Sequence, residues 1–149
     1  MLGLVKVKIE VEVRPTEDIE KVIKAVKNVL DVKDLDVVKG GLPEFYILTK
    51  EFDSLRPLTK LHQVLRRERI LDAARSVFFK MSRRNILVIK IHKQAAYAGR
   101  LTFVTEDAES PMGPINIYIE SSDIRKVIDW LAPKTAEGRP LWESEMPEE

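Results

Sequence analysis

Near the start of the chain Val5, Val7, Ile9, Val11 and Val13 alternate with Lys6, Lys8, Glu10, Glu12 and Arg14. Strict period two predicts a strand with one buried and one wet face. It belongs in an antiparallel or mixed sheet covered on one side only. Pro15 ends it, Thr16 is the expected N-cap, and Glu17 and Asp18 suit the positive end of a helix. Ile19, Ile23, Val26 and Leu30 then recur at helical spacing, predicting a helix over 17–30. A short strand over 35–39, a Gly40-Gly41 turn and a strand over 44–50 follow. The longest helix is predicted over 55–82, capped by Ser54 and with Pro57 in its first turn.

Ile86–Ile91 reads as an apolar strand, and 94–99 as a small-residue turn or short helix closed by Gly99. A strand over 101–105 and a loop over 106–114 lead to a last strand, in which Ile115, Ile117 and Ile119 alternate with Asn116, Tyr118 and Glu120. Ile124, Val127, Ile128 and Leu131 place a final helix stopped by Pro133. The order β-α-β-β-α-β-β-β-α predicts an α+β sandwich rather than a doubly wound fold. It forms one domain over 1–135, followed by a Pro-rich acidic tail over 136–149 whose end is expected to be loose.

The long helix carries a conflict. Ile70, Leu71, Ala74, Val77, Phe78 and Met81 share one arc, whereas Leu58, Leu61 and Leu65 are rotated from it by more than ~90° at 100° per residue. No straight helix buries both. Either it bends near Glu68, or each half packs on a different neighbour, such as another subunit.

Charge is spread unevenly. The net charge of the chain is +1, yet residues 56–100 hold 12 Lys and Arg against 2 acidic residues, while 101–149 hold 4 against 11. Such a lopsided middle is an electrostatic footprint for a polyanion; the plainer reading is a basic helix neutralised by the acidic C-terminal third. His62, Arg66 and Arg69 fall at i, i+4 and i+7, with Lys80 in the same sector, and so are read as one exposed face. Arg75 points elsewhere, and Arg67 toward the apolar arc. Guanidinium groups on a fixed helix face match phosphate oxygens. Lys93 and Arg100 continue the charge, and Tyr97 between them is placed to stack on an unpaired base.

Composition excludes other chemistry. Without cysteine there is no disulfide framework, thiolate zinc site or cysteine nucleophile. No phosphate-binding glycine loop occurs, His62 and His92 lack metal-ligand spacing, and Ser110 lacks a nucleophile elbow. Glu106, Asp107 and Glu109 read as a solvated acidic loop, the alternative being a divalent-cation site, and 109–114 as a rigid turn, the alternative being a loop whose Ser110 hydroxyl lines a site beside the basic segment. The expectation is a non-enzyme without cofactor or metal, soluble and cytoplasmic, with no membrane segment and a charge content that fits a thermophile.

Three stretches then stand together: VEVRPTED (11–18), LRRERILDAARSVF (65–78) with HKQAAYAGR (92–100), and ESPMGPI (109–115) with IDWLAP (128–133). In order and spacing they resemble the archaeal uncharacterised protein family 0201, over nearly the whole chain. The resemblance implies RNA binding and a fold similar to the ribosomal protein that binds 5S ribosomal RNA, with helices on one face of a curved antiparallel sheet. It carries no catalytic residues. It adds Arg14, Arg66, Arg69, Arg75, Gln94 and Arg100 as contact candidates; Met112, where leucine is expected, touches packing only.

The combined expectation is a non-catalytic RNA-binding protein, without DNA specificity, that meets structured RNA mainly through phosphates from 56–100. Reversing Arg66 and Arg69 to glutamate is then expected to weaken binding and leave the melting temperature unchanged. The alternative is a homodimeric scaffold whose basic segment meets an acidic protein surface, such as its mate's C-terminal third. A further reading places Tyr46 and Tyr118 on the polar sheet face as a stacking platform.

Overall fold

The computed structural model describes residues 5–40, 45–106 and 112–147. The expectations for Gly41, Asp107, Glu109, Ser110 and the last two residues therefore lie outside the described residues. The alternating segment forms β1 (Lys6–Val13), with Val7, Ile9 and Val11 fully buried. It lies between β3 (Tyr46–Phe52) and β6 (Ile115–Glu120), and the sheet runs β2 (Asp36–Lys39), β3, β1, β6, β5 (Ile86–Ile91), β4 (Ser82–Arg83). Every pairing is antiparallel. Leu48, Leu87, Ile89, Ile91, Ile115, Ile117 and Ile119 line the same face as the β1 valines and have no exposure. That face is covered by α1 (Ile19–Val29), α2 (Thr59–Arg67), α3 (Leu71–Lys80), α4 (Lys93–Tyr97) and α5 (Ile124–Leu131), whose apolar stripes join it in one core. The opposite face carries no helix among the described residues, so the expected one-sided covering holds. No helix of the described residues is long and apolar enough to cross a membrane.

The predicted helix over 55–82 is broken where its two apolar arcs change sides. A short 3-10 turn over 56–58 leads into α2, and α2 ends in a Schellman motif: Arg69 N–H donates to the Arg66 carbonyl (3.2 Å) and Ile70 N–H to the Leu65 carbonyl (3.2 Å). Arg69 holds the left-handed position of that motif, at φ 56°. α3 then buries Leu71, Ala74 and Phe78, so the bend expected near Glu68 is the device that lets both arcs reach one core. A residue with a Cβ at positive φ costs roughly 1–2 kcal/mol relative to glycine. Arg69→Gly is expected to raise stability by about 1 kcal/mol, which thermal unfolding checks; an unchanged or lower midpoint would show that the arginine relieves its own strain.

Three other local expectations are corrected. Glu17 N–H closes a turn onto the Arg14 carbonyl (2.9 Å), which delays α1, so the N-cap is Asp18 accepting from Glu20 N–H (2.9 Å) rather than Thr16. Ser54 does not cap a helix; it accepts from Arg56 N–H (3.3 Å) ahead of the 3-10 turn. The strand expected over 101–105 shrinks to a bridge between Phe103 and Ile91. Beyond α5 the chain turns through β7 (Thr135–Ala136) and β8 (Arg139–Pro140). The segment after it is not loose where described: Met146 packs on the core and Glu143 pairs with Arg66.

Candidate nucleic-acid interface

The basic helix face expected from the sequence is divided by the partners of its residues. Arg66 on α2 donates from Nε and Nη2 to Glu143 (2.9 and 2.6 Å), from Nη1 to the carbonyls of His62 (2.8 Å) and Leu131 (2.9 Å), and from Nη2 to Trp130 (3.2 Å). Its guanidinium caps the C-terminal carbonyls of α5 and clasps the returning tail. His62 stacks on Trp130, ring centroids 5.0 Å apart. Neither belongs to an exposed face with Arg69, because α5 and the tail pack on this side of α2, and a single-helix wheel contains neither. Arg75 is likewise held, by Asp129 (2.9 Å) and the Ala132 carbonyl (3.0 Å), with its guanidinium over Phe79. The acidic C-terminal third thus meets the basic helices within one chain, the pairing that the scaffold reading assigned to a dimer mate.

The Arg66 clasp carries a pH signature. Burial, reinforced by the neighbouring Arg66 guanidinium, holds the His62 pKa below its ordinary 6.5, against a smaller opposing pull from Glu143. An imidazole kept neutral in the fold gains a proton more readily when unfolded. Its contribution is therefore complete above pH 6.5 and is lost as pH falls from there through the folded value. The melting temperature is expected to fall more steeply between pH 7 and 5 for the wild type than for His62→Gln; parallel slopes would contradict this. The Arg66 hydrogen bonds also hold the Glu143 carboxyl below its usual range, so the tail stays clasped until pH drops under that range.

Lys93 is buried at 3% exposure, although it opens α4. Its ammonium donates to the Glu17 carboxylate (3.0 and 3.2 Å) and to the carbonyls of Glu12 (2.7 Å) and Met112 (2.8 Å). Burial pushes its pKa below the ordinary lysine value, opposed by Glu17. It ties the end of β1, the start of α1 and the turn before β6 to one point, and it offers no donor to a ligand.

The remaining candidates separate into two groups. Lys80, with Arg83 and Arg84, is exposed where α3 meets β4, at the end of the sheet marked by Lys6. Arg14, Gln94, Tyr97, Arg100 and Arg69 are all exposed and gather toward the opposite end, about 20 Å away along the six residues of β5. There α1 and α4 pack together: Asn28 Nδ2 donates to the carbonyls of Ala96 (3.0 Å) and Tyr97 (3.2 Å). α4 ends in a second Schellman motif, with Gly99 N–H to Ala96 (2.9 Å), Arg100 N–H to Ala95 (2.8 Å) and Gly99 at φ 81°. Arg67 Nη2 donates to the Gly99 carbonyl (2.7 Å) and Leu101 N–H to Glu68 (3.4 Å). The ends of α2 and α4 are thereby joined, with Arg69 and Arg100 each one residue from the contact.

A groove of ≈ 320 Å³ opens between α1 and α4, with Lys93 in its lining and Lys21, Gln94 and Tyr97 along it. Tyr97 is 40% exposed, and the Lys24 ammonium lies 5.2 Å from its ring centroid. Lys60 Nζ donates to the Lys27 carbonyl (2.8 Å), bringing α2 beside the same helix. Arg14 sits near the groove, its side chain paired with Glu12 (3.3 Å) and its N–H donating to Glu17 (2.9 Å). The groove's carboxylates are engaged: Glu17 with Lys93, and Asp18 as the α1 cap. What remains is a cationic surface around one exposed aromatic ring.

Lys21, Lys24 and Lys27 lie in the N-terminal third, where acids that include Glu17, Asp18 and Glu20 beside them balance their charge. The signal was available: the three recur at i, i+3 and i+6 on α1, away from its buried stripe of Val22, Ala25, Val26 and Val29.

The family model described as RNA binding matches residues 6–121. A UPF0201 protein of Aeropyrum pernix is 52% identical over 145 residues, 97% of this chain and 95% of its own. One from Saccharolobus solfataricus is 46% identical over 144 residues, 97% of this chain and 98% of its own. Among solved structures, the UPF0201 protein from Methanococcus jannaschii superposes with a TM-score of 0.77 at 32% identity, covering 91% of this chain and 98% of that one. A DUF54 protein from Methanothermobacter thermautotrophicus shares the fold at TM-score 0.59 and 22% identity, over 84% of this chain and 98% of that one.

Proposed function

We propose an RNA-binding role from one premise: the chain belongs to the UPF0201 family of archaeal proteins and matches the family described as RNA binding over most of its length. RNA is held mainly through its phosphates, by Lys21, Lys24 and Lys27 of α1 together with Arg69 and Arg100, while the Tyr97 ring receives an unpaired base and Gln94 a base edge or ribose hydroxyl. The observation that carries this reading is the exposed Tyr97 ring with Lys24 over it at the mouth of the α1–α4 groove. A left-handed arginine where glycine is favoured, at Arg69, is a local cost that a phosphate contact explains. The reading includes a non-catalytic protein without DNA specificity. It also includes a fold like that of the ribosomal protein that binds 5S ribosomal RNA, supported by one antiparallel sheet with its helices on a single face.

Reversing Lys21, Lys24 and Arg100 together to glutamate is expected to weaken binding to a stem-loop RNA about 100-fold at low salt. It should also lower the slope of log affinity against log salt by roughly one per lost phosphate contact. All three side chains are exposed, so the melting temperature should hold. An unchanged affinity in the folded variant would reject the site.

A further inference from the structure

The face of the sheet without helices is not uniformly polar. Pairing across β1, β6 and β5 sets Glu51, Lys8, Tyr118 and Val88 in one row, and Lys6, Glu120, Ile86 and Arg83 in the next. The platform expected from Tyr46 and Tyr118 is half wrong. Tyr46 pairs with buried Val13 and so lies on the helix-bearing face, whereas Tyr118 pairs with Lys8 and lies on the open one. Around Tyr118 the surface is concave, a recess of ≈ 270 Å³ bounded by Lys6, Lys8, Glu51, Ile86 and Glu120. Ile86 and Glu120 are shared with a wider hollow of ≈ 690 Å³ edged by Arg83 and Arg84. Ile86 is 48% exposed, large for an isoleucine in a strand.

We propose that this open sheet face is a second RNA site, which takes a single-stranded segment with one base stacked on Tyr118 and its phosphates led across Lys6, Lys8, Arg83 and Arg84. The proposal rests on the RNA-binding reading above and extends it to a surface far from Tyr97. The recess falls just under the roughly 300–1,000 Å³ typical of small-ligand sites, a size for one ring system. Its centre is apolar; on its rim Lys6 and Lys8, the latter paired with Glu10 (3.5 Å), alternate with Glu51, Asp53 and Glu120, so the surplus of cations comes from Arg83 and Arg84 at the adjoining hollow. Stacking on the ring leads and charge guides the backbone, as in platforms that hold unpaired bases. A duplex is excluded as occupant because its base faces are hidden within the stack. The carboxylates of Glu51 and Glu120 line the recess and accept from an exocyclic amine, which favours cytosine over uracil.

The test titrates the full chain with a short oligocytidine and, separately, with the stem-loop RNA. Tyr118→Leu, which keeps an apolar side chain in the strand, is expected to weaken oligocytidine binding about tenfold and leave the stem-loop unaffected. Arg83→Glu with Arg84→Glu lies away from the core and should do the same. The Lys21, Lys24 and Arg100 reversal should show the opposite selectivity. Ultraviolet crosslinking of the oligocytidine should map to the peptide bearing residues 115–120. Oligocytidine binding that survives both sheet-face variants, or crosslinks confined to α4, overturns the second site. A wild type that binds the stem-loop but no oligocytidine also overturns it while sparing the α1–α4 reading; binding of neither RNA removes both.

Discussion

Lys93→Met is expected to lower stability by about 3–5 kcal/mol, the range for removing one partner of a buried ion pair. Methionine fills nearly the same volume, so the loss reports the charge rather than a cavity. What it leaves behind is costly. The Glu17 side chain is 11% exposed and, among the described residues, keeps the Arg14 N–H as its donor, while the Glu12 and Met112 carbonyls lose their ammonium partner. Adding Glu17→Gln should recover part of the loss, since the stranded carboxylate becomes neutral, and the double-mutant cycle separates that share from the carbonyl contacts. Chemical denaturation of the two single variants and the double variant is the measurement. A Lys93→Met protein as stable as the wild type would mean that water replaces the ammonium, and Lys93 would then be no anchor for the groove.

Arg66→Ala is expected to cost about 2–3 kcal/mol, and most of it comes from backbone carbonyls rather than from the ion pair. Trp130 and Leu131 are buried at the end of α5, and the guanidinium is the donor to both of their carbonyls. Glu143 is 46% exposed, so Glu143→Gln alone should cost less than about 1 kcal/mol. Lysine cannot replace a fork of donors that faces four residues, so Arg66→Lys should resemble the alanine variant. For a chain of this size the melting temperature falls roughly 2–4 °C per kcal/mol. Arg66→Ala should therefore melt clearly lower, whereas Arg69→Ala should not. The Arg66 contacts argue against the expectation that reversing Arg66 and Arg69 leaves stability unchanged: the two residues share a helical sector but not an environment. Equal midpoints for Arg66→Ala and the wild type would return Arg66 to the list of free cations.

Periodicity carried most of the architecture because it is a local consequence of burial. The alternation of Val7 to Val13 and of Ile115 to Ile119 appears as two central strands with one side wholly buried. The conflict of arcs around Glu68 left a bend or two separate neighbours open, and the break between α2 and α3 realises the bend. Boundaries failed where hydrogen bonds outside the pattern intervened, as at Thr16, where a turn onto Arg14 moved the cap two residues on. Of the candidate site residues read from the sequence, Arg14, Arg69, Gln94, Tyr97 and Arg100 are exposed toward one end of the sheet, while Lys80 lies at the other.

By itself the sequence determined an α+β chain with a one-sided sheet, two conflicting apolar arcs in its long helical segment and an excess of cations in its middle. These follow from patterns that each segment states alone. Only the tertiary structure decided which cations are available. Arg66, Arg75 and Lys93 meet their partners 77, 54 and 76 positions away, and Lys24 reaches Tyr97 because α1 packs on α4. A charge is legible in its own residue, but its neutralisation depends on what the fold sets beside it.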